Sequence, residues 1–272
     1  MLQKRVCENG VVCLVSPLLE RAAIPHAFST RVGGVSQEPF ASLNLGNPPG
    51  LLRDDEGNIR ENYVRLLDAA NLSGRPLCRV HQVHGGEIVM VRHGDPLPSH
   101  TLADALVTEE PEFALSIRTA DCVPILIGEK TGRVVAAVHA GWRGVVAGIV
   151  PDTLLWIERM GIPAGDILLA IGPCIGPDAF EVGEEVAEQF SSSLWDDTIM
   201  VRRPGVKPHV DLARAVALQA VRFGLSAEQI NSTEMCTVRD ADLFFSHRRE
   251  VGVTGRMASV ISPRSPCDRM PA

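Results

Sequence analysis

CVPILI (122–127), GEKTG (128–132) and RVVAAVH (133–139) form one continuous stretch that reads as two short apolar strands about a turn. Both runs are rich in β-branched residues and too short for a buried helix. Lys130-Thr131-Gly132 carries turn chemistry, so the stretch predicts a buried hairpin. With a four-residue loop over 129–132, Gly128 faces Arg133, and Cys122 faces His139 at the open end. Opposed side chains on such a ladder have Cβ atoms about 4.5–5.5 Å apart. A thiol and an imidazole at that spacing can share a metal ion or act as nucleophile and base.

The flanks add to this pair. Ala140-Gly141-Trp142-Arg143-Gly144 leads into VVAGIVPDTLLWIERMG (145–161), which predicts a helix over 144–160 with a bend at Pro151. A glycine-rich corner between a strand and a helix start presents free N–H groups and positive dipole, which suits an anion such as phosphate. Gly141 and Arg143 belong to that corner, and Arg31 and Arg248 stand in other Gly- or Arg-rich segments, Ser29-Thr30-Arg31 and Ser246-His247-Arg248. These three arginines are the expected holders of an anionic substrate.

A catalytic metal centre needs a third ligand. His84 is the best placed, where VHQVHGG (80–86) runs from a strand into a Gly-Gly turn. His81 lies three residues earlier, so on a strand it faces the other way. Asp104 and Asp121 are the carboxylates expected to orient a histidine.

Further out, the chain of 272 residues carries a net charge of −7, which argues against nonspecific nucleic-acid binding. No apolar run approaches the ~20 residues that span a bilayer. The start, MLQKRVCENGVVCLV, is broken at Glu8-Asn9-Gly10 and reads as a hairpin over 4–15, not a signal peptide. Seven scattered cysteines without a Cys-x-x-Cys pair predict reduced thiols and a cytoplasmic protein. Strands are expected at 25–31, 76–83, 87–92, 103–108, 112–118, 167–173, 233–238 and 254–261. Helices are expected at 57–72, near 179–190, and at 210–223 capped by Asp211. The Gly/Pro/Asn-rich segment 32–56 is long enough to be an excursion over a site. The fold class is α/β (mixed α+β): a single layered domain over 1–272, with a largely mixed central sheet flanked by helices and a frayed tail at 262–272.

HAFSTRVGGVS, LNLG, QVHG, ADALVT, TADCVPILI, AVHAGWRG, IGPCIG and TGRMASVI follow one another from residue 26 to 261. In these motifs the chain resembles the bacterial YfiH-like family, the laccase-domain or polyphenol-oxidase-like proteins. The resemblance implies a YfiH-like, cysteine-hydrolase-type fold with metal ligands at His84, Cys122 and His139, which would also be the catalytic residues. It implies Zn²⁺, with copper the alternative metal, and phosphorolysis of adenosine, inosine and methylthioadenosine alongside adenosine deamination. The expected partners are a purine nucleoside and phosphate, with no nucleic acid or membrane, and the expected state is a monomer. Two departures stand out: His247 where the family has an aromatic tyrosine, and Pro177-Asp178-Ala179-Phe180 in place of a Cys-rich stretch.

Two rival chemistries share the same residues. A metal-free hydrolase or amidase editing peptidoglycan precursors would use Cys122 as nucleophile and His139 as base. A structural zinc site would need a fourth ligand, such as His247 or Cys174. A copper-dependent polyphenol oxidase, as the family's older descriptions have it, would need many more histidine ligands than three.

Overall fold

The chain is described by a computed structural model over residues 1–265, other than 48, 49, 51 and 195. The segment 266–272, most of the expected frayed tail, lies outside the described residues. The strands are β1 Gln3–Val6, β2 Val12–Val15, β3 His26–Ser29, β4 Leu77–Cys78, β5 Ile88–Val91, β6 Ala105–Thr108 and β7 Ala114–Thr119, followed by β8 Val123–Glu129, β9 Val135–Ala140, β10 Ile167–Ile171, β11 Met200–Arg203, β12 Val206–Val210, β13 Ile230–Asn231 and β14 Met257–Ile261. The helices are α1 Pro17–Arg21, α2 Glu56–Ala69, α3 Trp142–Ala147, α4 Ile149–Arg159, α5 Glu184–Leu194 and α6 Leu212–Phe223.

The strands form two mixed sheets in place of the one expected, with orders β1-β2-β3-β14-β7-β4 and β13-β10-β8-β9-β6-β5, and a separate β11–β12 hairpin. Period-2 alternation explains how they stack. On β8, Val123, Ile125 and Ile127 join a core shared with α4, α5 and α6, whereas Leu126 joins a core shared with the other sheet. Phe28, Leu115, Ile117 and Met257 of the first sheet fill that inter-sheet layer, and Ala27, Ala114, Ala258 and Val260 point the other way, onto Ile59, Tyr63 and Leu66 of α2. The result is four layers, helix–sheet–sheet–helices, in which both sheets are buried on two faces. Buried faces of this kind explain why the central strands read as apolar runs without polar alternation.

The hairpin of β8 and β9 forms, with its register displaced by two residues from the expected one. Val123 pairs with Ala140 and Pro124 with His139. The turn slides one residue along: Glu129 N–H donates to Val134 at 2.9 Å, so the loop is 130–133.

The helix expected at 144–160 is two helices. They break at Gly148, whose φ of +88° ends α3 in the left-handed region open to glycine. Pro151 causes no bend, because it lies in the first turn of α4, where a missing N–H costs no helical bond. The strand expected at 233–238 is a single bridge between Cys174 and Cys236. There the Cys236 N–H turns aside to the Asp240 carboxylate at 2.7 Å. Asp211 caps α6 as expected, accepting from the Arg214 N–H at 2.9 Å. Among the described residues no helix is long and apolar enough to cross a membrane.

Candidate active site

His139 ends β9 and Cys122 immediately precedes β8. The two-residue displacement puts them diagonally across the ladder in place of directly opposite. Because the side-chain period is two, the displacement still leaves both on the same face; a shift of one would have separated them. That face is the inter-sheet one, so the pair sits where the layer between the sheets opens at one end.

His84 completes the group. Ligand atoms of His84, Cys122 and His139 all lie within 4.8 Å of one another. The two imidazoles meet edge to face, with centroids 4.8 Å apart and planes at 84°. Gly141 makes the approach feasible: a Cβ there would stand 2.8 Å from His84 Cδ2 and 3.3 Å from Cys122 Sγ.

Asp104, fully buried, organises two of the three. Its Oδ1 lies 2.7 Å from His139 Nδ1 and accepts the His84 N–H at 3.0 Å. Its Oδ2 accepts the N–H groups of Val83 and Gly85 at 3.2 and 2.7 Å. Three successive N–H groups wrapped on one carboxylate force a tight turn, and His84 adopts φ +60° to make it. A non-glycine residue in the left-handed region is a strained choice of the sort found at functional sites. With Nδ1 tied to Asp104, His139 turns Nε2 toward Cys122 and His84.

Burial alone would raise the Cys122 thiol. The positive charge of His139, with hydrogen bonds from His139 and His84, outweighs burial and lowers it from 9.0 to about 6. Burial likewise opposes the charged form of His139, but Cys122 and Asp104 raise it from 6.5 to about 9. Burial works against the Asp104 carboxylate too, and the hydrogen bonds from His139 and Gly85 still hold it below its ordinary value. Two nitrogens and a thiolate-prone sulfur, oriented by a buried carboxylate, match the donor set and outer shell of a zinc centre with an open position. Neither His247 nor Cys174 joins the group among the described residues, so a closed four-ligand structural site is not formed.

The three side chains line a cleft of roughly 720 Å³. Arg248 and His247 line it as well, and the 32–56 excursion contributes Asn47 and Arg53. His81 also faces the cleft, against the alternation expected of it, because the chain leaves regular strand geometry after Cys78.

Two expected substrate residues are elsewhere. Arg31 lies over the Phe245 ring and donates to the carbonyls of Ala41 and Ala241, fastening the excursion to the body. Arg143 is exposed and stacks on Trp142. The glycine corner is packed, not open: a Cβ on Gly144 would meet the Gly85 carbonyl at 3.1 Å. Asp121 does not orient a histidine; its carboxylate takes the hydroxyl of Thr237 and the N–H of Arg248. Phe180, from the departing stretch 177–180, lines the cleft, and Arg118 and Arg256 are lining arginines that the sequence did not single out. An arginine inside the apolar run ALSIRT (114–119) was the visible signal for Arg118.

The family model described as multi-copper polyphenol oxidoreductase laccase matches residues 25–264. A Deinococcus radiodurans protein called purine nucleoside phosphorylase is 38% identical over 252 residues, covering 93% of each chain. The Escherichia coli K12 protein called purine nucleoside phosphorylase YfiH is 39% identical over 233 residues, covering 86% of this chain and 91% of its own. Among solved structures, YlmD from Geobacillus stearothermophilus superposes with a TM-score of 0.86 at 32% identity, over 97% of this chain and 99% of that one. The Bacillus licheniformis hypothetical protein YfiH gives a TM-score of 0.86 at 28% identity, over 96% and 98%.

Proposed function

The chain belongs to the YfiH-like, laccase-domain family, and from that premise we propose that it is a zinc-dependent purine nucleoside phosphorylase. Its substrates are adenosine, inosine and methylthioadenosine, and it also deaminates adenosine. The observation that carries this reading is the meeting of His84, Cys122 and His139 in one cleft of small-molecule size. The names of the relatives supply the chemistry, and the donor set supplies the reason for a metal.

Phosphorolysis joins a phosphate oxygen to C1′ of the ribose and breaks the bond from C1′ to the purine. The electron pair leaves with the base, which takes up a proton. His84 and His139, through their ring nitrogens, and Cys122, through Sγ, would hold zinc, which supplies Lewis acidity when bound. Phe180 offers an aromatic face to the purine. His81 and His247 line the same cleft and are the groups placed to hold a proton for the leaving base.

The test is zinc-loaded protein with inosine and phosphate, followed for hypoxanthine and ribose 1-phosphate. Turnover lost on Cys122→Ala is the expected result, and the absence of turnover in the loaded wild type overturns the reading. A second reading is favoured by the chain Cys122–His139–Asp104, the nucleophile, base and orienting carboxylate of a thiol hydrolase or amidase. Hydrolysis that survives chelation but not thiol alkylation would support it.

A further inference from the structure

In a chain of net charge −7, four arginines line the cleft among the described residues, against one lining acid, Asp121. Two of the four already have partners. Arg53 faces Glu56 at 3.6 Å, and Arg248 donates to the carbonyls of Ala179 and Glu181. Arg118 and Arg256 differ. Among the described residues no carboxylate pairs with either. Among those residues the Arg118 guanidinium donates no hydrogen bond, and Arg256 uses Nη1 alone, on the adjacent carbonyls of Thr254 and Gly255, whereas Arg248 commits both terminal nitrogens to a distant segment.

The sheet brings the two together. Arg118 pairs with Ala258 in the β7–β14 register, and Arg256 stands two residues before Ala258. By strand alternation they belong to the same side of the sheet, at the end that leads through Thr119 and Ala120 to Cys122. The excursion closes over them: the Leu45 N–H donates to the Arg256 carbonyl at 2.9 Å, and Gly46 leaves room that a Cβ would deny to Arg118, at 2.8 Å from Nη1.

The nearby acids do not neutralise them. Asp121 is held by Thr237 and Arg248, and Glu250 by Arg249, Thr254 and Ser246. Burial and the neighbouring charge of Arg118 hold Arg256 below its ordinary value, as expected of like charges kept side by side.

We propose that Arg118 and Arg256 form a tetrahedral-oxyanion site beside Cys122, and that it receives the inorganic phosphate consumed in phosphorolysis. Two guanidinium forks with unused N–H donors suit such an anion in number and geometry. The identity of the anion as co-substrate rests on the phosphorylase reading; the existence of the site does not.

Inorganic phosphate is titrated calorimetrically into the whole zinc-loaded protein at low salt, with and without saturating inosine. Binding should weaken by about tenfold or more in Arg118→Gln and in Arg256→Gln, and stay unchanged in Arg143→Gln. Where turnover is measurable, the KM for phosphate should rise by a similar factor while that for inosine holds.

A glutamine variant that fails to fold would lose phosphate for that reason alone, so the wild type is also treated with phenylglyoxal. Phosphate should protect Arg118 and Arg256, mapped by peptide mass, and leave Arg143 unprotected. Phosphate bound without nucleoside turnover would keep the site and remove only the phosphorylase reading. Equal phosphate affinity in folded variants, or no protection in the wild type, overturns the site. Phosphate and inosine that exclude one another, with inosine 5′-monophosphate binding more tightly than either, would assign the anion to a phosphorylated substrate and overturn the co-substrate role.

Discussion

A thiol at about 6 beside an imidazole at about 9 is an ion pair throughout the interval between them. The two groups act on stability with opposite signs. Cys122, lowered from 9.0, favours the folded state fully above that value, and this contribution is lost as pH falls through about 6. His139, raised from 6.5, contributes fully below that value, and its share is lost as pH rises through about 9. In metal-free protein, alkylation of Cys122 by iodoacetamide should therefore rise with a midpoint near pH 6 and plateau by neutrality. At pH 7 it should run roughly tenfold faster than for an ordinary thiol. His139→Ala should move the midpoint toward 9, and a wild-type midpoint already there would contradict the pairing. His139 and His84 were legible because each stands at a strand end or turn beside glycines, and Cys122 because it opens an apolar strand paired with that of His139. Asp104 as the orienting carboxylate was only half legible. Its role depends on three N–H groups of a turn whose conformation, with His84 at φ +60°, no pattern of residue types announces.

Among the elements, the β8–β9 hairpin shows what the sequence determines and what it leaves open. Apolar composition set the two strands, and Lys130-Thr131-Gly132 set the turn, but the register depends on which residue closes the loop. The turn chemistry did not distinguish a loop at 129–132 from one at 130–133. The face survived because the displacement was even. Arg31 and Arg143 were misread for a different reason: a free-looking arginine in a loop is recognised as structural only once Phe245 and Trp142 are seen beneath the two guanidiniums. The stacking of one sheet on the other was also not legible, since an apolar strand does not name the sheet it will cover. Gly172 is one tight point of that stacking. A Cβ there would lie 2.3 Å from Phe28 Cδ1 on β3 and 2.8 Å from Pro124 Cγ on β8. Gly172→Ala should cost about 1–3 kcal/mol, read as a lower melting temperature and urea midpoint. Gly165→Ala, with nothing near its Cβ, should stay within about 0.5 kcal/mol. A neutral Gly172→Ala would mean the sheets yield more easily than their packing indicates.

For the whole molecule, four layers bring together segments far apart in sequence at one open end of the inter-sheet core. The turn after His81, the ends of β7 and β9, the start of β8 and the approach to β14 all converge there. The class of fold was legible, because helices interspersed among buried strands admit few arrangements. The cleft was not, because two of its arginines, Arg118 and Arg256, come from β7 and the approach to β14, which meet only through pairing. We infer that this convergence makes a metal centre from His84, Cys122 and His139. The most direct measurement is the zinc content of wild type, His84→Ala, Cys122→Ala and His139→Ala after zinc loading and exhaustive desalting. Circular dichroism confirms that each is folded. About one zinc per wild-type chain and a marked loss in every variant are the expected result. Folded variants that retain wild-type zinc, or a wild type that binds none, would contradict that inference.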